Sequence, residues 1–80
     1  MSMFNAKYVV FDDNGIEDMI IFSSLQQHND ITESVDLNPV SAGRIDHALH
    51  CFGESFSLGL EARPEEDRAI ARRMFNVDQD

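Results

Sequence analysis

The segment "AKYVVFDDNGIEDMIIF", residues 6 to 22, constrains this chain more than any other stretch. β-Branched and aromatic residues run up to Asn14-Gly15 and resume beyond it, and both turn residues tolerate positive φ. That combination predicts a β-hairpin closed by a two-residue type I′ turn. The loop length sets the register: Val10 faces Met19, Val9 faces Ile20 and Tyr8 faces Ile21. It also sets Asp12 opposite Glu17, a mildly repulsive pair.

Both strands of this hairpin are apolar on two faces. "YVVF" and "MIIF" are continuous runs, whereas a half-solvated antiparallel strand alternates. One or two short helices can cover the first face, and a second subunit is the economical cover for the rest. A homodimer or higher assembly is therefore expected. The need is sharpened by size: 80 residues make one small domain, residues 1–80, and such a chain buries only about 60–65% of its unfolded surface. Cys51 is the single cysteine, so no disulfide within the chain can reinforce the core.

Downstream, Ser23 or Ser24 is placed to cap a short helical turn through "SLQQHND", ending before residue 32. "TESVDLNPV" reads as an exposed loop, since Pro39 biases Asn38 away from helix. "VSAGRID" and "ALHCFGESFSLGL" read as two further strands joined near Asp46-His47, with a bulge or bend at Gly53. Phe52, Phe56, Leu58 and Leu60 share one parity and are expected on the buried face. Pro64 starts a helix to Phe75, with Glu65, Glu66 and Asp67 at its positive end and Arg72 and Arg73 at its negative end. Ile70 with Met74, and Ala71 with Phe75, give it an apolar stripe. Arg63 is a poor cap for that helix, and "NVDQD" reads as a frayed tail. The fold class is α+β: a small antiparallel sheet, a short middle helix or turn, and a C-terminal helix.

Charge narrows the partners. Fifteen acids against six bases give −9. Residues 1 to 38 carry seven acids against Lys7, or −6, and the remainder carries −3. Arg63, Arg68, Arg72 and Arg73 fall close together, but acids interleave with them. Direct nucleic-acid binding, which needs clustered cations, is not expected. An acidic surface instead keeps a small protein soluble, meets a basic partner or imitates nucleic acid. "MSMFNAKY" lacks the charged and apolar regions of a secretory signal, and "MIIF" is far short of the ~20 residues a membrane helix needs. With a lone cysteine, the expected setting is cytoplasmic, without membrane contact.

No catalytic motif is complete. Gly53-Glu54-Ser55-Phe56-Ser57 ends in serine where the nucleophile elbow needs glycine. Gly53 and Gly59 match no phosphate-loop spacing, and the acids opening the last helix repel an anion there. His47, His50 and Cys51 are close in sequence, but His50 and Cys51 point to opposite sides of an extended strand and no second cysteine pair exists. Placing Gly15 at position six of an EF-hand loop puts Val10 and Ile21 where carboxylates are required. Nothing brings His28, Asp30 and Glu54 together. A non-enzyme without cofactor or metal is the expectation.

"NPVSAG" (38 to 43) and "GESFSLGLEARPEED" (53 to 67) resemble a set of short phage and prophage open-reading-frame products. Those combine a "PVSAG" strand with a later "GxSxSLGLxSRPED"-like segment after an N-terminal strand pair, so the resemblance covers most of the chain. This sequence departs at Ala62, where serine would cap the helix, and in its short Asp46-His47 connection. The resemblance carries over no catalytic residue; it implies a phage or prophage origin and, with that, residence in the host cytoplasm.

Two functional classes follow. The first is a non-enzymatic accessory protein that binds a host or phage protein. The second is a small-molecule binding or enzymatic module, with a pocket between protomers lined by Phe52, Phe56, the histidines and Arg63. Loops on a rigid scaffold commonly carry recognition, so the contact residues selected are Asp12, Asp13, Glu17 and Asp18 at the hairpin tip, and Arg63. A plainer role for Arg63 is a surface ion pair with Glu66 or Glu61, contributing ~0–1 kcal/mol.

Overall fold

The computed structural model describes residues 5–75. Strands β1 (Asn5–Asp13), β2 (Ile16–Phe22), β3 (Asn38–Asp46) and β4 (Cys51–Phe52) form one antiparallel sheet in the order β2-β1-β3-β4. Helix α1 (His28–Ser34) links β2 to β3. A two-stranded ribbon of β5 (Glu54–Ser55) and β6 (Leu60–Glu61) leads into helix α2 (Pro64–Phe75). The α+β class, the leading hairpin and the bounds of the C-terminal helix agree with the sequence reading. "NVDQD" lies outside the described residues.

The hairpin has the expected register, including Val10 opposite Met19, Tyr8 opposite Ile21 and Asp12 opposite Glu17. Asn14 (φ 57) and Gly15 (φ 89) take the left-handed conformations a type I′ turn requires. The acidic pair is relieved from both sides. Asp12 Oδ1 accepts from the Gly15 N–H at 2.9 Å, and Glu17 is drawn away to Arg63.

β1 is the spine, paired on both edges and buried from Ala6 through Phe11 except at Lys7. Its alternation divides the interior into two apolar layers. Ala6, Tyr8 and Val10 meet Met19, Ile45, Cys51 and the Ile70 and Ala71 side of α2. Val9 and Phe11 meet Phe22 and Ala42, with Ile31 and Val35 of the α1 region and Leu58 and Leu60 of the ribbon packed over them. Both faces of β1 are thus covered within one chain, so its two-sided apolarity does not by itself call for a second subunit.

Three local expectations are corrected. The middle helix starts at His28 and runs to Ser34, so it takes in part of the segment read as loop. Ser23 instead closes a tight turn, its Oγ accepting from the Leu25 N–H at 3.1 Å. The long strand expected over residues 48–60 is broken into β4, β5 and the start of β6: Gly53 (φ 83) parts β4 from β5, and the turn over 56–59, with Gly59 at φ 68, reverses the chain between β5 and β6. The shared parity holds for Leu58 and Leu60, which pack on the second layer, and fails for Phe52, 41% exposed, and Phe56, 88% exposed. On α2, Ile70 and Ala71 are buried, but Met74 and Phe75 are exposed.

Candidate functional site

Helix α2 is fastened to the sheet by one buried carboxylate. Asp67 is fully buried, one turn into α2 and over the β1–β3 seam. Its Oδ2 accepts from the Tyr8 hydroxyl at 2.5 Å and from the Arg63 N–H at 2.8 Å. Its Oδ1 accepts from the Ser41 hydroxyl at 2.8 Å and from Arg63 Nε at 3.0 Å. Four donors on two oxygens satisfy a group that would otherwise be costly to bury. Burial, reinforced by the Asp67 carboxylate, pushes the Tyr8 phenol well above its ordinary range. The neighbouring Cys51 thiol is pushed up to about 11, first by burial and then by the Asp67 charge, so it stays a neutral thiol.

Arg63 is where the structure departs most from expectation. It pairs with neither Glu66 nor Glu61. Its guanidinium spans Asp67 and Glu17, with Nη2 at 2.9 Å from a carboxylate oxygen of each. The bond to Glu17, with both carboxylates nearby, raises its already high proton affinity. Its own N–H, just before the helix, donates to the Asp67 carboxylate at 2.8 Å. Arg63 is a clasp between α2 and the hairpin, and its charge is spent within the fold.

The "PVSAG" strand is explained by the same packing. Ser41 donates to Asp67, and Ala42 fills the second apolar layer. Gly43 lies so close to β4 that an added Cβ would collide with the Phe52 carbonyl oxygen and stand 3.1 Å from Ala62 Cβ. Its carbonyl accepts from His28 Nε2 at 3.0 Å.

The five residues selected from the sequence form two groups rather than one site. Asp12 and Asp13 border an open cleft of about 370 Å³ together with Asp36 and Asn38. Asp18 shares the sheet face of Asp13, where it stands between Ile16 and Ile20 along β2. Glu17 turns to the opposite face, with Arg63. Among the described residues no group of three or more His, Cys, Asp or Glu side chains is arranged to hold a metal ion.

The β2 edge has a chemistry of its own. β2 lies at the border of the sheet and its second edge faces no strand. The Asp13–Ile16 pair closes the hairpin, so Glu17, Met19 and Ile21 turn their backbone groups toward that edge. Arg73 Nη2 meets the Glu17 carbonyl there at 2.8 Å. Ile16 is 63% exposed and Ile20 36%. The arrangement can accept an extended segment, with apolar contacts on one face and carboxylates nearby for cations.

A second cleft lies at the other end of β1. It is lined by Lys7, Gln27, His28, Arg44, Glu54, Ser55, Phe56 and Ser57. His28 is buried edge-on against Phe22, with ring centroids 5.4 Å apart. Burial lowers its proton affinity and the Lys7 and Arg44 charges lower it further, against the bond to the Gly43 carbonyl. This grouping escaped the sequence reading because it joins residues from β1, α1, β3 and β5. The one available signal was Lys7 near the start of a strand destined for the sheet centre. No protein-family model matches the chain, and neither does any curated protein or solved structure.

Proposed function

We propose that this chain is a small acidic accessory protein of phage or prophage origin that acts without catalysis, by binding a host or phage protein in the cytoplasm. The observation that carries the reading is the β2 edge: a seven-residue border strand with exposed Ile16 and Ile20 beside Asp13 and Asp18. Natural border strands are usually short, charged, bulged or covered, because exposed backbone groups recruit further strands. With a chain charge of −9, the occupant that fits is an extended segment carrying Lys or Arg, added to β2 by main-chain hydrogen bonds. The acidic surface that would meet it also suits imitation of nucleic acid, so competition by DNA or RNA for the captured partner tests that variant.

Affinity capture from host lysate with the wild-type chain and with Ile16→Ser/Ile20→Ser tests the reading. A stoichiometric partner retained by the wild type and lost by the variant supports it. Equal capture by both, or capture by neither, contradicts it. A second copy of the chain is the other occupant the edge suits, and a monomeric mass at micromolar concentration would remove that homo-oligomer. The alternative of a small-molecule or enzymatic module is supported by the Lys7–Arg44 cleft, which lies within one protomer rather than between two.

A further inference from the structure

Lys7 and Arg44 are direct cross-strand partners between β1 and β3. Like charges in that relation repel. In a chain with fifteen acids, an internal counter-ion would be easy to supply, yet among the described residues neither forms an ion pair, although Glu54 lines the same cleft. The Lys7 ammonium donates to the Gln26 carbonyl at 2.8 Å. Ion pairs form elsewhere in the described residues, between His50 and Asp46 and from Arg63 to Glu17 and Asp67. Both cations line the cleft of about 340 Å³ together with Ser57 and the ring of Phe56.

We propose that this cleft binds an oxyanion, the phosphate or carboxylate group of a small ligand, between Lys7 and Arg44. A guanidinium fork presents two parallel donors to such a group and an ammonium supplies a point charge. The Ser57 hydroxyl lies 3.2 Å from the Ser55 hydroxyl and adds a donor when Ser55 donates in that pair. Phe56, 88% exposed, offers a flat apolar wall to the rest of the ligand. Glu54 in the lining disfavours a ligand carrying several negative charges. His28 is the built-in reporter: it lies in the field of both cations, and a bound anion offsets that field and raises its proton affinity. The site is independent of the β2 edge, from which it is separated along β1.

The test is an NMR titration of the full chain with inorganic phosphate and, separately, acetate, at constant ionic strength with chloride as reference. The expected result is a saturable shift of the His28 ring and Ser57 amide signals, with the His28 pKa rising on saturation. Tighter binding of phosphate assigns a phosphate ligand, and tighter binding of acetate a carboxylate. Arg44→Gln weakens binding about tenfold or more, the loss of roughly one charge-assisted hydrogen bond. It also raises Tm in anion-free buffer by relieving the repulsion from Lys7. Glu54→Gln tightens binding, and Arg68→Gln, outside the cleft, leaves it unchanged. A response that chloride reproduces, one that persists in Arg44→Gln, or no saturable shift with either anion overturns the proposal.

Discussion

The Tyr8 hydroxyl donates to Asp67 Oδ2 at 2.5 Å across 59 positions of sequence, and both residues are fully buried. This contact joins the central strand to the last helix, and the two segments that give the sequence its individuality, "PVSAG" and "ARPEED", converge on it through Ser41 and Arg63.

Replacing Asp67 therefore strips an acceptor from four buried or half-buried donors. Asp67→Ala is expected to lower unfolding free energy by about 3–5 kcal/mol, the usual cost of removing one member of a buried charge pair. Tyr8→Phe leaves the carboxylate its other three donors and is expected to cost about 1–1.5 kcal/mol. Urea unfolding of both variants checks the ranking; equal losses would contradict a carboxylate held by four donors of which Tyr8 is one.

The two carboxylates held by Arg63 differ in burial, and their contributions should differ accordingly. The Glu17 side chain is 36% exposed, so Glu17→Gln is expected to cost no more than about 1 kcal/mol. Arg63→Ala leaves the buried Asp67 without its cation and is expected to cost about 3 kcal/mol. Thermal unfolding of the pair measures the difference, and a larger effect of Glu17→Gln would reverse the assignment.

Gly43 is required for close approach, not for turn geometry. Gly43→Ala sets a methyl group against the Phe52 carbonyl and Ala62 and is expected to cost about 1–3 kcal/mol, as overpacking does. A Tm equal to wild type would mean that β4 yields freely.

His28 gives the fold a pH dependence. Its proton affinity is lowered in the folded state from the ordinary 6.5, so the unfolded chain binds the proton better. The stabilisation is full above the unfolded-state pKa and is lost as pH falls through the lower folded-state value. Urea midpoints should fall between about pH 7.5 and about pH 5.5, and His28→Gln should flatten that slope. An unchanged slope in the variant would place the dependence elsewhere.

What was legible in the sequence was local. Asn14-Gly15 sets the hairpin register within a few residues, and Pro64 with the acids behind it marks a helix start without tertiary help. The region from Leu49 to Leu60 was misread because parity holds only while a strand continues, and Gly53 and the turn ending at Gly59 interrupt it. The partners of Arg63 were sought nearby because surface pairs usually are near. Glu17, 46 positions away, becomes a neighbour only once α2 lies across the hairpin. Lys7 and Arg44 meet for the same non-local reason: the β1–β3 pairing spans the hairpin, α1 and its connections.

The β2 edge is the centre of the functional account, and site-specific photo-crosslinking in expressing host cells tests it most directly. A photoreactive residue in place of Ile20 is predicted to trap one other protein, through a Lys- or Arg-bearing segment, while the same residue in place of Glu61 traps none. Adducts of the chain with itself alone, or the same adducts from both positions, would contradict it.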